Sequence, residues 1–152
     1  MIKVKPINPV LATDLIAELD EYQSTLYPPE SNHLDSVETL QQDHVFFYGG
    51  YVAEVLAATG AVKVFAGYGE IKRVYVSPSF RGLGLAKLIM TALEEKLQSL
   101  SVPIVRLETG PKSLEAVALY EKLGYQKTSP YGDYHEDPLS IFMEKKLNTS
   151  TS

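Results

Sequence analysis

The chain has 152 residues, enough for one domain with a single sizeable core, and 45% of them are hydrophobic, as in an ordinary globular protein. A formal charge of −5 argues against non-specific nucleic-acid binding, and the absence of cysteine excludes disulfides, thiolate metal sites and a cysteine nucleophile. His33, His44 and His135 do not form a metal-ligand spacing, Met1 to Val10 lacks the apolar stretch of a secretory signal, and no run approaches membrane-spanning length, so a cytoplasmic protein with no metal and no membrane partner is expected.

Ile2 to Pro6 alternates apolar and basic residues and reads as a short strand. Asn8 is placed to cap a helix whose first position is Pro9, and Leu11, Leu15, Leu19, Tyr22 and Leu26 repeat at helical spacing until Pro28-Pro29 stops them. A second, short helix is expected from His33 to Gln42, followed by strands at Val45–Tyr51 and Val55–Phe65. Gly60 inside the latter points to a bulge or a close backbone approach. A strand from Glu70 to Val76 follows. Leu85, Leu88, Ile89, Ala92, Leu93, Leu97 and Leu100 then mark a long amphipathic helix. Val102 to Thr109 reads as a buried strand and Ser113 to Leu123 as a helix ending at Gly124, a natural left-handed cap. Tyr125–Ser129 and Ser140–Leu147 read as a terminal strand pair, and Asn148 to Ser152 as a disordered tail. Hairpins mixed with two strand–helix crossovers predict an α/β protein, a central mixed sheet with helices on both faces.

The chemistry concentrates where the Glu70–Val76 strand passes into the long helix. Gly82 and Gly84 lack the Cβ atoms that would block close approach to the backbone, and Ala86 nearly does. The first turn of a helix has unpaired N–H groups and the positive end of the macrodipole, and Arg81 adds a planar cation just outside it. These features suit a pyrophosphate, although a glycine-containing helix start of purely structural use has the same letters. A dinucleotide fingerprint needs a small residue where Lys87 stands, and no P-loop string occurs.

The pattern R-x-x-G-x-A, filled by Arg81, Gly84 and Ala86 after the Val74-Tyr75-Val76 strand, resembles the acyl-CoA-binding motif of the GNAT superfamily of N-acetyltransferases. Arg106 to Gln126 is similar to that family's second signature, with Ala116, Leu119, Tyr120, Gly124 and Tyr125 in the A-x-x-L-Y-x-x-x-G-[FY] positions. Tyr27 to His33 and Asp137 to Ser140 are similar to segments of one bacterial-type group of small members. The resemblance spans nearly the whole chain and implies one N-acetyltransferase domain over residues 1–147, of the GNAT-like acyl-CoA N-acyltransferase fold.

In that family the strands corresponding to Glu70–Val76 and Val102–Thr109 splay apart and admit pantetheine. The resemblance thus implies acetyl-CoA as the acyl donor, held by Val74, Tyr75, Val76, Arg81, Gly82, Leu83, Gly84, Leu85, Ala86, Lys87 and Ser113. Ser113 stands where many relatives carry an Asn, so that contact has one hydroxyl instead of an amide. Tyr120 matches the tyrosine near the CoA sulfur, a suitable proton donor, although a stripe of Ala116, Leu119, Tyr120 and Leu123 also reads as core packing. Glu70 lies near where relatives place a base. It competes with an ordinary strand-end ion pair to Lys72 or Arg73, and Glu108 is the second choice.

The family's acceptor pocket is bordered by the segment holding Glu30, Asn32 and His33, whose other reading is helix punctuation by Ser31 or Asn32. An aromatic and acidic loop, Tyr131 to His135, supplies the opposite wall, and Asp133 with Glu30 and Glu136 would suit an amine. The resulting expectation is acetyl transfer to a primary amine of a small molecule or peptide by direct attack in a ternary complex, with a homodimer left open. A non-catalytic acyl-CoA-binding module and an acyltransferase with a larger donor remain the alternatives.

Overall fold

The computed structural model describes residues 1–29 and 35–148. The expectations for Glu30, Ser31, Asn32 and His33, and for the tail at residues 149–152, lie outside the described residues. In chain order the elements are β1 (Ile2–Pro6), a 3-10 turn at Pro9–Ala12, α1 (Thr13–Leu26), α2 (Val37–Leu40), β2 (Val45–Val52), β3 (Val55–Phe65), β4 (Tyr68–Val76), α3 (Leu85–Ser99), β5 (Ile104–Thr109), α4 (Leu114–Lys122), β6 (Gln126–Thr128) and β7 (Ile141–Lys146).

Two helices differ from the periodicity reading. Asn8 does cap the turn opened by Pro9, its side chain accepting from the Val10 N–H at 3.0 Å, but that turn is 3-10. Its tighter three-residue repeat leaves Leu11 66% exposed, off the stripe that continues as Leu15, Ile16 and Leu19. The second helix is the single turn Val37–Leu40, capped by Ser36, whose Oγ accepts from the Thr39 N–H at 3.2 Å.

The strands form one sheet in the order β1-β2-β3-β4-β5-β7-β6, antiparallel except at β4–β5. α3 supplies Leu85, Ile89, Met90, Leu93 and Leu97 to a core shared with Val62, Ile71, Val105, Leu107, Tyr120 and Met143. On the other face the 3-10 turn, α1 and α2 bury Ala12, Ile16 and Leu40 against Val45, Phe47 and Ala61, while Leu15 and Leu19 of α1 meet Tyr75. The protein is therefore a mixed α/β sheet covered on both faces. Each fully buried aliphatic side chain contributes about 1.5–3 kcal/mol to holding these layers.

One irregularity positions the site. The β3–β4 register shifts between Thr59 and Ala61, and Arg73 on β4 takes a left-handed φ of 58°. The bulge is tied down by Thr59, whose hydroxyl donates to the Arg73 carbonyl at 2.9 Å. Arg73 itself is buried, paired to Asp20 of α1 at 2.5 Å and donating to the Asp35 carbonyl. Opposite the bulge, a Cβ at Gly60 would overlap the Ile89 side chain, so glycine is what lets α3 press against the sheet there. The extra residue switches strand parity: Ile71 packs on the α3 side, Tyr75 meets α1, and Val74 and Val76 return to the α3 side.

Candidate active site

β4 and β5 pair only from Gly69–Ile71 to Val105–Leu107. Beyond that point β4 stays with β3 and β5 stays with β7, so the two central strands part. A cleft of about 620 Å³ occupies the gap. Its wall includes Val74, Tyr75 and Val76 of β4, Arg81, Gly82, Gly84, Leu85, Ala86 and Lys87 at the entry to α3, Glu108 of β5, and Ser113 and Tyr120 beside or on α4. Leu83 stands outside the wall and is half exposed.

The α3 entry is built for an anion. Gly84, the residue before the helix, has a left-handed φ of 79°, and Gly82 has one of 84°. A Cβ on either would meet no heavy atom within 4 Å, so the space over the turn is open. Among the described residues no side chain caps this end, and the first turn holds no acidic residue. The unpaired N–H groups of a helix fifteen residues long therefore face the cleft together with Arg81, whose Nε is anchored on the Val76 carbonyl at 3.3 Å.

Tyr120 projects from α4 into the other side of the cleft. It is 7% exposed and meets Tyr125 edge-on at 5.9 Å, and burial pushes its phenol up to about 12. Core packing and a place in the cleft wall thus coincide in one residue. Ser113 is held by a residue the sequence did not single out for this purpose. The Tyr27 hydroxyl lies 3.1 Å from Ser113 Oγ and accepts from the Lys112 N–H at 3.2 Å. Lys112 Nζ in turn donates to the Leu26 carbonyl at 2.9 Å, so the end of α1 is latched to the loop before α4. Gly110 makes this contact possible, since a Cβ there would overlap the Tyr27 hydroxyl. Only the glycine was a visible signal, and nothing in the sequence names its partner.

Glu70 is placed differently. It is 4% exposed, lies outside the cleft wall, and its Oε2 accepts from Tyr134 at 2.6 Å and Tyr131 at 3.0 Å. Lys72 Nζ lies 3.9 Å from the same oxygen, 3.5 Å from Asp35 Oδ2 and 3.0 Å from the Tyr134 hydroxyl. Burial first, and the Glu70 charge second, push both phenols far above the usual tyrosine range. Asp133 and Glu136 are exposed, and neither is part of the cleft wall. Glu108, by contrast, borders the cleft, with its Oε2 accepting from the Ser140 hydroxyl at 2.9 Å. Among the described residues no cluster of acidic or histidine side chains is arranged to hold a metal ion, and no helix is long and apolar enough to cross a membrane.

Residues 13–125 match the model of the acetyltransferase (GNAT) family. The chain is 38% identical over 135 residues to an IAA acetyltransferase of Azospirillum brasilense, covering 88% of each protein. Its fold is similar to that of a protein from Klebsiella pneumoniae assigned as an acyl-CoA N-acyltransferase, with a TM-score of 0.82, 35% identity, and 97% and 99% of the two chains covered. The PaiA N-acetyltransferase of Thermoplasma acidophilum, solved in complex with coenzyme A, shares the fold alone, at a TM-score of 0.73 and 16% identity over 97% and 99% of the chains. A parted β4–β5 seam, a glycine-rich entry to α3, and a family match over most of the length agree: the chain belongs to the GNAT acetyltransferase family.

Proposed function

We propose that the protein transfers an acetyl group from acetyl-CoA to a primary amine of a small molecule or peptide, by direct attack within a ternary complex, and that residues 1–147 act as one catalytic unit. The observation that carries this reading is the single cleft that joins the open α3 entry to Tyr120 across the parted strands. In this reading the pyrophosphate lies against the backbone at Gly82–Lys87 with Arg81 beside it. Pantetheine follows the edge of β4 at Val74–Val76, whose backbone is no longer paired to β5, in the manner of an added strand. Ser113 contacts the pantetheine arm, and a strand N–H near Val76 polarises the thioester carbonyl. The Tyr120 hydroxyl stands near the sulfur and stabilises the departing thiolate.

With no cysteine in the chain, a cysteine-linked acetyl-enzyme is unavailable, which favours direct attack. The test combines calorimetric titration with acetyl-CoA and a thiol-detection assay of CoA release over a panel of aliphatic, aromatic and amino-acid amines. Micromolar binding and amine-dependent release are expected. Binding without release for every amine would support the non-catalytic acyl-CoA-binding alternative, and absence of both would overturn the proposal.

A further inference from the structure

We infer that Tyr27 is a positioning residue for the acyl carrier, its phenol aiming the Ser113 hydroxyl at an amide carbonyl of pantetheine, an inference that rests on the acetyl-CoA reading above. A serine hydroxyl carries one proton and rotates about its C–O bond, so it needs a neighbour to give it a direction. Ser113 is the N-cap of α4, where a serine ordinarily turns its oxygen back to an N–H of the first helical turn. Among the described residues Ser113 makes no such bond. Its backbone is fixed by a turn in which its N–H donates to the Gly110 carbonyl at 3.0 Å, and its hydroxyl oxygen lies 3.1 Å from Tyr27 Oη.

Proton counting sets the direction of that bond. Tyr27 Oη accepts from the Lys112 N–H at 3.2 Å, so the backbone fills an accepting site of the phenol and its single proton points to Ser113 Oγ. Ser113 then accepts from Tyr27 and keeps its own proton to donate elsewhere. Tyr27, Lys112 and Ser113 all line the cleft, and a pantetheine carbonyl is an acceptor of the kind this donor suits. A chain of hydrogen bonds running from a backbone N–H through two hydroxyls polarises its last member, which strengthens that contact.

An orienting group must itself be rigid, and Tyr27 is. It is 5% exposed at the end of α1, with its N–H donating to the Gln23 carbonyl at 2.9 Å. The missing Cβ of Gly110 opens the slot its hydroxyl occupies, and Lys112 Nζ ties the same loop to the Leu26 carbonyl at 2.9 Å. Cofactor binding is thereby linked to α1, which packs on the face of the sheet opposite α3.

The experiment is a double-mutant cycle on CoA affinity, measured by calorimetry for wild type, Tyr27→Phe, Ser113→Ala and the double variant, each first shown by urea unfolding to be folded at the assay temperature. Phenylalanine keeps the ring in its slot and removes only the hydroxyl. Tyr27→Phe and Ser113→Ala should each weaken CoA binding by about 3- to 10-fold, the value of one net hydrogen bond. The double variant should bind no more weakly than Ser113→Ala, because without the serine hydroxyl the phenol has nothing to orient. Losses that multiply in the double variant would mean that Tyr27 only braces the loop, and would overturn the inference. Wild-type affinity in either single variant would overturn it too. Failure of the wild type to bind CoA would overturn the acetyl-CoA reading beneath it as well.

Discussion

Removal of one hydroxyl, in Tyr120→Phe, separates packing from chemistry. The ring is 7% exposed and sits in the α3 core, while its hydroxyl has no hydrogen-bond partner among the described residues. Deleting an oxygen that has no protein partner leaves no orphaned group behind, so unfolding free energy should move by less than about 1 kcal/mol. Catalysis should respond more strongly. A phenol pushed up to about 12 is fully protonated at neutral pH, and an ordinary thiol titrates near 8.5. Complete transfer from phenol to thiolate is then uphill by about 5 kcal/mol at 1.36 kcal/mol per pH unit. In the proposed reaction the hydroxyl would therefore act on the leaving sulfur as a hydrogen-bond donor that keeps its own proton. A hydrogen bond to a charged group contributes roughly 1.5–3 kcal/mol, so kcat should fall about 10- to 150-fold with acetyl-CoA affinity nearly unchanged. The assay is steady-state CoA release from pH 6 to 10.5 on both proteins, with matched urea-unfolding curves. Unchanged kcat, or a wild-type decline setting in near pH 10 that Tyr120→Phe lacks, would refute the argument.

Gly84→Glu should abolish acetyl-CoA binding by calorimetry, because a carboxylate would enter open space at the α3 entry. Gly84→Ala, facing only the left-handed backbone cost of about 1–2 kcal/mol, should bind measurably. Gly110→Ala should destabilise the fold by about 1–3 kcal/mol by displacing Tyr27, and most of that loss should vanish in a Tyr27→Ala background, as a double-mutant cycle in urea would show. Alkaline stability carries a sign. Tyr120 ionises near 10 when unfolded and about 12 when folded, so its contribution is intact below pH 10 and is lost as pH rises toward 12, to a total of about 3 kcal/mol. Tyr120→Phe should therefore gain on wild type in unfolding free energy measured at pH 11.5, and equal slopes of stability against pH would contradict the burial.

Periodicity made the long α3 helix, the alternation of β1, and the Asn8-Pro9 start legible in the sequence, because each is encoded by near neighbours. Gly60 advertised an irregularity, and the structure shows both a register shift and a helix packed close above it. The glycines and Arg81 of the α3 entry were legible for the same reason: their chemistry is local to one turn. The latch between Tyr27 and Ser113 was not, since it joins residues far apart in sequence, and neither side chain announces the other. The Tyr131 to His135 loop read as a wall of the acceptor pocket, but that Tyr131 and Tyr134 donate to Glu70 was not legible, because their partner lies 61 and 64 residues away.

The hardest element to read was the difference between Glu70 and Glu108. Both sit on the two strands that flank the gap, and both are followed by apolar or small residues, so local pattern treats them alike. What distinguishes them is where β4 and β5 stop pairing, and neither strand decides that alone. β3 holds β4 through Val76 and β7 holds β5 through Thr109, so each strand is drawn outward by its antiparallel neighbour. The Arg73 bulge then re-aims the second half of β4, bringing Tyr75 to the α1 side. Glu70 precedes that departure and is absorbed into a buried network with Lys72 and two tyrosines; Glu108 follows it and meets the cleft. A carboxylate's surroundings here follow from its place along a seam, and that place is a property of four strands together.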